Sequence, residues 1–156
     1  MLKLKNLIPI TFLLTTGLTV QANPIMTVQC DEPNGTRTDF YAGEFKESQD
    51  GFAGVKPRIL FDSKKAQNTT VLLEPADLAK QLGFKKTSNV FKIASQNTDH
   101  ISMIGHSDTT TTHLYTIYPK LGVGYFTIHH YADLHNGEAS TATLIAKCKI
   151  LPKSVK

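Results

Sequence analysis

The segment Thr141–Leu151, TATLIAKCKIL, sets Ala142, Leu144, Ala146, Cys148 and Ile150 at alternate positions, with mostly polar residues between them. A period of two is the pattern of a strand with one buried face. The segment also holds Cys148, and the only other cysteine, Cys30, lies near the other end of the chain. A bond between them would tie the last strand to the first and close the fold.

Moving back along the chain, the same alternation recurs in Asn89–Ala94, His100–His106, Thr112–Tyr118 and Gly124–Tyr131. Connections such as Ser107–Thr111 and Pro119–Val123 are short, and short links join antiparallel neighbours, because a parallel crossover needs a dozen residues or more. The second half of the chain therefore reads as a meander. Arg58–Asp62 and Thr69–Glu74 are shorter strands. Ile25–Cys30 and Thr36–Ala42 read as a hairpin around the turn-rich DEPNG at 31–35, and the polar stretch Gly43–Lys56 reads as a loop. One helix is expected: Pro75 suits its first position, Asp77 its first turn, Leu78 and Leu82 share a face, and Gly83 stops it. A helix of two turns is not stable alone, so it should pack across an end or edge of the sheet. Eight or nine strands with one short helix make an all-β fold, either a small antiparallel up-and-down barrel or a two-layer sandwich.

The first residues carry a different signal. Lys3 and Lys5 precede a mostly apolar run, Leu7–Val20, that ends in Val20-Gln21-Ala22. This is the arrangement of a cleaved secretory signal over residues 1–22, and the run is shorter than the roughly 20 residues of a membrane span. Residues 23–156 remain as a single β-domain, exported to a periplasm or beyond the cell. Such a compartment is oxidising, so Cys30 and Cys148 are expected as a disulfide, not a catalytic or metal-binding pair. Losing Lys3 and Lys5 lowers the net charge from +4 to +2. That is too near neutral to point to nucleic acid or an anionic membrane as partner. The pairs Lys64-Lys65 and Lys85-Lys86 read as solvated loop residues.

All six histidines lie between positions 100 and 135, and imidazole serves both metal binding and proton transfer near neutral pH. If apolar positions point inward, Ile101, Met103 and Gly105 share the interior with His113, Tyr115 and Ile117. Phe126, Ile128 and His130 join them, as do Ala142, Leu144, Ala146 and Cys148. Registers that set 105 against 113, 113 against 130 and 130 against 142 would make His113 and His130 inward neighbours between Gly105 and Ala142. The expected ligand pocket is thus His113, His130, Tyr115, Gly105 and Ala142, with Tyr115 as hydroxyl donor. His113 and His130 are weak metal candidates, since two ligands fall short of a zinc site. His100, His106 and His129 face outward on this scheme, and His135 falls in a loop.

His106-Ser107-Asp108 holds the residue types of a hydrolase triad, but consecutive side chains of an extended segment point to opposite faces. No nucleophile elbow, phosphate-binding loop or HExxH helix is present in the sequence. The chain therefore reads as an exported, monomeric, non-catalytic binding or interaction protein without a cofactor, its partner a small ligand or another protein. Two alternatives are an inhibitor of a cell-wall-acting enzyme such as lysozyme, and periplasmic metal binding through the histidines.

Overall fold

The computed structural model describes residues 26–61, 67–133 and 138–152. The expected signal over 1–22, Lys64-Lys65 and His135 lie outside the described residues. Ten strands and one helix follow in order: β1 (Met26–Cys30), β2 (Asn34–Tyr41), β3 (Glu44–Gly51), β4 (Lys56–Phe61), β5 (Asn68–Glu74), α1 (Ala76–Gln81), β6 (Ser88–Gln96), β7 (Ile101–His106), β8 (Thr111–Tyr118), β9 (Val123–Asp133) and β10 (Glu138–Leu151). Every pairing is antiparallel, and β1 pairs with both β4 and β10. That closes β1 and β4 through β10 into an eight-stranded barrel. The barrel, of the two architectures the sequence allows, is the one formed. No helix among the described residues is long and apolar enough to cross a membrane.

β10 is the common spine. Along one edge it pairs with β9; along the other it pairs first with β2, from Ala139↔Phe40 to Ile145↔Asn34, and then with β1, from Cys30↔Cys148 to Thr27↔Leu151. The hairpin expected between β1 and β2 is therefore not formed. The chain steps through Asp31-Glu32-Pro33 without reversing, and Asp31 N–H donates to Lys147 O at 2.7 Å within the step. A strand of 14 residues is long enough to carry both segments end to end.

The hairpin partner of β2 is instead β3, which occupies most of the stretch expected as loop. Ala42 and Gly43 both have positive φ (51° and 85°), as a two-residue hairpin turn requires. β3 escapes a periodicity reading because it lies outside the barrel and is exposed over most of its length; with no buried face there is no alternation to see. Together β2 and β3 form an arm that continues the barrel wall beyond β10. Past β3, Phe52 and Val55 turn back inward and are buried where β4 runs on beyond its pairing with β1.

Inside the barrel, the alternation read from the sequence holds. Ile101, Met103, Gly105, His113, Tyr115, Ile117, Phe126, Ala142, Leu144, Ala146 and Cys148 are all buried. Cys30 and Cys148 are bonded across the β1–β10 seam. The loop they close spans 118 residues, so the crosslink stabilises the fold by about 4 to 5 kcal/mol in the chain-entropy account.

The helix is one and a half turns long, with Pro75 as its N-cap and not its first helical residue. Its C-terminus is closed by a Schellman pair: Phe84 N–H donates to Ala79 O and Gly83 N–H to Lys80 O, both at 3.0 Å. Gly83 takes the left-handed conformation this needs (φ 87°). The chain is thereby folded back across one end of the barrel, where Phe84 meets Phe52 edge-on with ring centroids 5.3 Å apart.

Candidate functional site

The end of the barrel beneath this fold-back contains a cavity of about 350 Å³, at the small end of the range for small-molecule sites. Its apolar walls are Val71 and Leu73 from β5, Phe91 from β6, Tyr115 from β8 and Ile128 from β9. Leu82 to Lys86 cover it from the helix side, and Ser107 and Asp108 from the β7–β8 loop. Asn89, Thr111, His113, His130 and Arg37 complete the lining. A second hollow of about 220 Å³ adjoins the rim, where the arm supplies Arg37, Asp39 and Tyr41 and β9 supplies His130.

Strand register explains which side chains share a level. Across the wall run Gly105, His113, Ile128, Ala142 and Arg37, each opposite the next. One level nearer the rim run Thr111, His130, Ser140 and Asp39. The expected pairing of His113 with His130, and of His130 with Ala142, is thus corrected by two residues at each hairpin. At the first, β8 and β9 run on to Tyr118 and Val123, leaving only 119–122 as the turn, with Gly122 N–H donating to Tyr118 O. At the second, a bulge shifts the ladder between Glu138 and Ala139. A slip of two keeps every side chain on its face, whereas a slip of one would have turned the histidines outward.

The two small residues also play a different part from the one expected. A Cβ on Gly105 would lie 2.8 Å from two atoms of the Phe91 ring, so the space over the glycine is filled by that ring. Phe91 in turn stacks on Tyr115, with centroids 4.9 Å apart and an interplanar angle of 28°. Ala142 is buried beside Ile128. Of the five expected pocket residues, His113, His130 and Tyr115 line the cavity; Gly105 and Ala142 do not.

His113 is the chemical centre of the site. It is only 7 % exposed, its Nδ1 lies 3.2 Å from the Tyr115 hydroxyl, and its Nε2 has no hydrogen-bond partner among the described residues. The buried phenol needs an acceptor for its proton, and His113 Nδ1 is the one within reach. A neutral imidazole accepting at Nδ1 carries its own proton on Nε2, so the unpartnered atom is an N–H donor enclosed by the barrel interior. Burial holds the imidazole neutral by lowering its pKa from 6.5 to about 4, with Asp108 opposing and His106 assisting. Burial likewise pushes the Tyr115 phenol well above its usual range.

His130 sits nearer the rim with its Nδ1 2.8 Å from the Thr111 hydroxyl. Asp108 accepts from the Thr110 backbone N–H and hydroxyl, each at 2.9 Å. These bonds, with those from Thr111 and Lys85, outweigh its desolvation and hold its carboxyl well below the carboxylate range. Its ion pair with Lys85, at 3.3 Å, joins the β7–β8 loop to the covering segment.

On the outer surface, His106 and His129 each lie beside a threonine, Thr112 and Thr141, and are exposed as expected. His100 contacts Ser95. Among the described residues no three His, Cys, Asp or Glu side chains are grouped so as to hold a metal ion.

Sequence reasoning missed Phe91, the cover from Leu82 to Lys86, and Arg37. Alternation within Asn89–Ala94 does place Phe91 inward. The cover and Arg37 come from elements whose position over the mouth no local pattern encodes. No protein-family model, curated protein or solved structure matches the chain, so function is argued from this geometry.

Proposed function

We propose that the protein is an exported, non-catalytic carrier or sensor barrel that takes a small molecule into the cavity under Phe84. The observation that carries this reading is the cavity itself, with inner walls of Val71, Leu73, Phe91, Tyr115 and Ile128 and polar groups, His113 and His130 among them, in the same lining. The aromatic and aliphatic walls supply the burial that drives entry, and a few convergent polar groups supply orientation, the usual division of labour in a ligand site.

The absence of turnover is supported by the state of the groups themselves. An imidazole whose pKa lies near 4 is a poor general base at neutral pH, and a phenol raised by burial is a poor acid. Export is supported by the leader-like pattern in residues 1–22 and by a disulfide, which suits an oxidising compartment.

The test is a fragment screen by NMR on isotopically labelled, disulfide-bonded protein, using neutral and charged aromatic and short acyl compounds. Chemical-shift changes should converge on Phe91, His113, Tyr115 and Ile128. A screen in which no compound binds, or in which the shifts map to other faces of the barrel, rules the reading out.

A further inference from the structure

We infer that two copies of the chain pair through β3, antiparallel about a two-fold axis at Ser48, so that their β2–β3 arms join in one continuous sheet. The inference stands apart from the ligand-site reading and departs from the monomer expected from the sequence.

β3 ends the sheet order and, among the described residues, pairs only with β2. Successive residues of such a strand turn their backbone groups alternately toward the neighbour and away from it. Tyr41 and Glu44 close the two-residue turn, so Glu44, Lys46, Ser48 and Asp50 bond to β2. Phe52 N–H continues that series by donating to Pro33 O at 3.0 Å. The N–H and C=O groups of Phe45, Glu47 and Gln49 therefore lie along the free edge. Gly51 ends the row, its N–H capped by the Asp50 carboxylate at 2.7 Å. A row of this kind is a template for a further strand.

The residues of β3 select which strand. A two-fold axis relating identical antiparallel strands sets one residue opposite its own copy, which leaves few registers for Glu44–Gly51. An axis at Lys46 sets that lysine against itself, and an axis at Glu47 sets glutamate on glutamate and Glu44 on the partner's Asp50. Like charges directly opposite destabilise a pair. An axis at Phe45 matches only Glu44 to Lys46, and one at Gln49 only Glu47 to Gly51.

An axis at Ser48 uses the strand from Phe45 to Gly51 without a like-charge contact. Ser48 then faces the partner's Ser48, Glu47 the partner's Gln49, Lys46 the partner's Asp50 and Phe45 the partner's Gly51. The lysine meets a carboxylate, the glutamate accepts from an amide, and the ring covers a residue with no side chain. Glu47 and Gln49 both carry outward backbone groups, so each of their pairs exchanges both N–H···O bonds. Neither Lys46 nor Asp50 has an ion pair among the described residues. Charges on an edge strand usually fend off other chains; these are matched by the chain's own copy, which makes them a device for specificity.

One ladder is a small interface, so the dimer should have a Kd of about 1 to 100 µM. Sedimentation of the disulfide-bonded protein between about 1 µM and 1 mM should show the corresponding shift toward twice the monomer mass. Lys46→Asp and Asp50→Lys, each alone, set like charges opposite at both ends of the ladder and should weaken the dimer at least about tenfold. Mixed in equal amounts, the two variants should pair with each other, because every like-charge contact becomes an opposite-charge one. In a half-labelled sample of the unsubstituted protein, an isotope-filtered NOE should join Ser48 Hα to Ser48 Hα of the partner subunit, a pair with Cα atoms about 4.5 Å apart.

A protein that stays monomeric at about 1 mM overturns the inference. So does a dimer that Lys46→Asp leaves equally strong, which would place association on another surface, and so does a mixture that stays monomeric while both variants keep the amide signals of the arm. Where Asp50→Lys loses those signals, the Ser48 NOE decides, and a dimer without it has another register.

Discussion

The Ile117 and His113 levels of the β8–β9 hairpin lie about 13 Å apart, four residues along an extended strand, and differ in how they are filled. At the turn end, Gly124 faces Ile117, Phe126 and the sulfur of Cys148, and the interior is closed by side chains and a covalent bond. At the open end, His113 and Ile128 face a cavity covered by a one-and-a-half-turn helix and its fold-back. One end is organised for permanence and the other for access. The same alternating pattern builds both, so the difference comes from what is laid over the strands and not from the strands themselves.

The largest test of this contrast is to release the closed end. Replacing Cys30 and Cys148 together by alanine should cost about 4 to 5 kcal/mol in urea unfolding. In the folded fraction the His113 ring resonances should stay where they are; if they move, the two ends are not independent.

Acid tests the open end. Above pH 6.5 His113 is neutral in folded and unfolded chains alike. Below it, the unfolded chain binds a proton that the folded chain, with its pKa of about 4, does not. Stability should therefore fall between about pH 6.5 and pH 4 and level off below, by about 3 kcal/mol in all. Asp108, whose carboxyl is likewise held below its ordinary range, has the same sign and a lower window, its contribution being lost as pH drops through and below the ordinary carboxylate range. Urea unfolding across this range should show the His113 step, and His113→Gln should remove it.

Two glycine substitutions compare the ends directly. Gly124→Ala would set a Cβ 2.8 Å from the bonded sulfur of Cys148 and from Ile117 Cδ1, with no space to yield into. Gly105→Ala would press on Phe91, which can shift toward the cavity. Both should destabilise by about 1 to 3 kcal/mol, Gly124→Ala more, and only Gly105→Ala, which lies opposite His113, should move the His113 ring resonances. Equal costs would mean that the open end is packed as rigidly as the closed one. The smallest effect is expected at Gly83, where alanine meets no neighbour but must hold φ near 87°. Its cost should be about 1 kcal/mol, with faster exchange of the Phe84 and Lys85 amides as the sign that the cover has loosened.

These contrasts also mark what can be read from residues alone. Alternation in Ile101–His106, Thr111–Tyr118, Val123–Asp133 and Glu138–Leu151 reports which face is inside, because burial on one face is a local property of a strand. It brings His113, Tyr115 and His130 to one interior. Register is not local: it depends on how many residues each turn consumes, and the 119–122 turn displaces His130 from His113 by one level, while the β9–β10 ladder, with its bulge at Glu138, displaces His130 from Ala142. Phe91 over Gly105 and Lys86 over the mouth are contacts between segments with no shared pattern. The β2–β3 arm carries Phe45, 75 % exposed, against Phe40 on its outer side, and a strand with little buried surface leaves no periodic trace.

The placement of β1 between β4 and β10 also sets a timetable. The first strand of the barrel cannot complete its pairing until the last has been made, and Cys30 must wait through the synthesis of 118 further residues for its partner. Until β10 arrives, β1 has only β4 beside it, and the β2–β3 arm has nothing to hang from. Closure is therefore a late, nearly whole-chain event. A truncated chain ending before Glu138 would present a free thiol and two unsatisfied sheet edges, which are the features that mark an incomplete product for capture or removal.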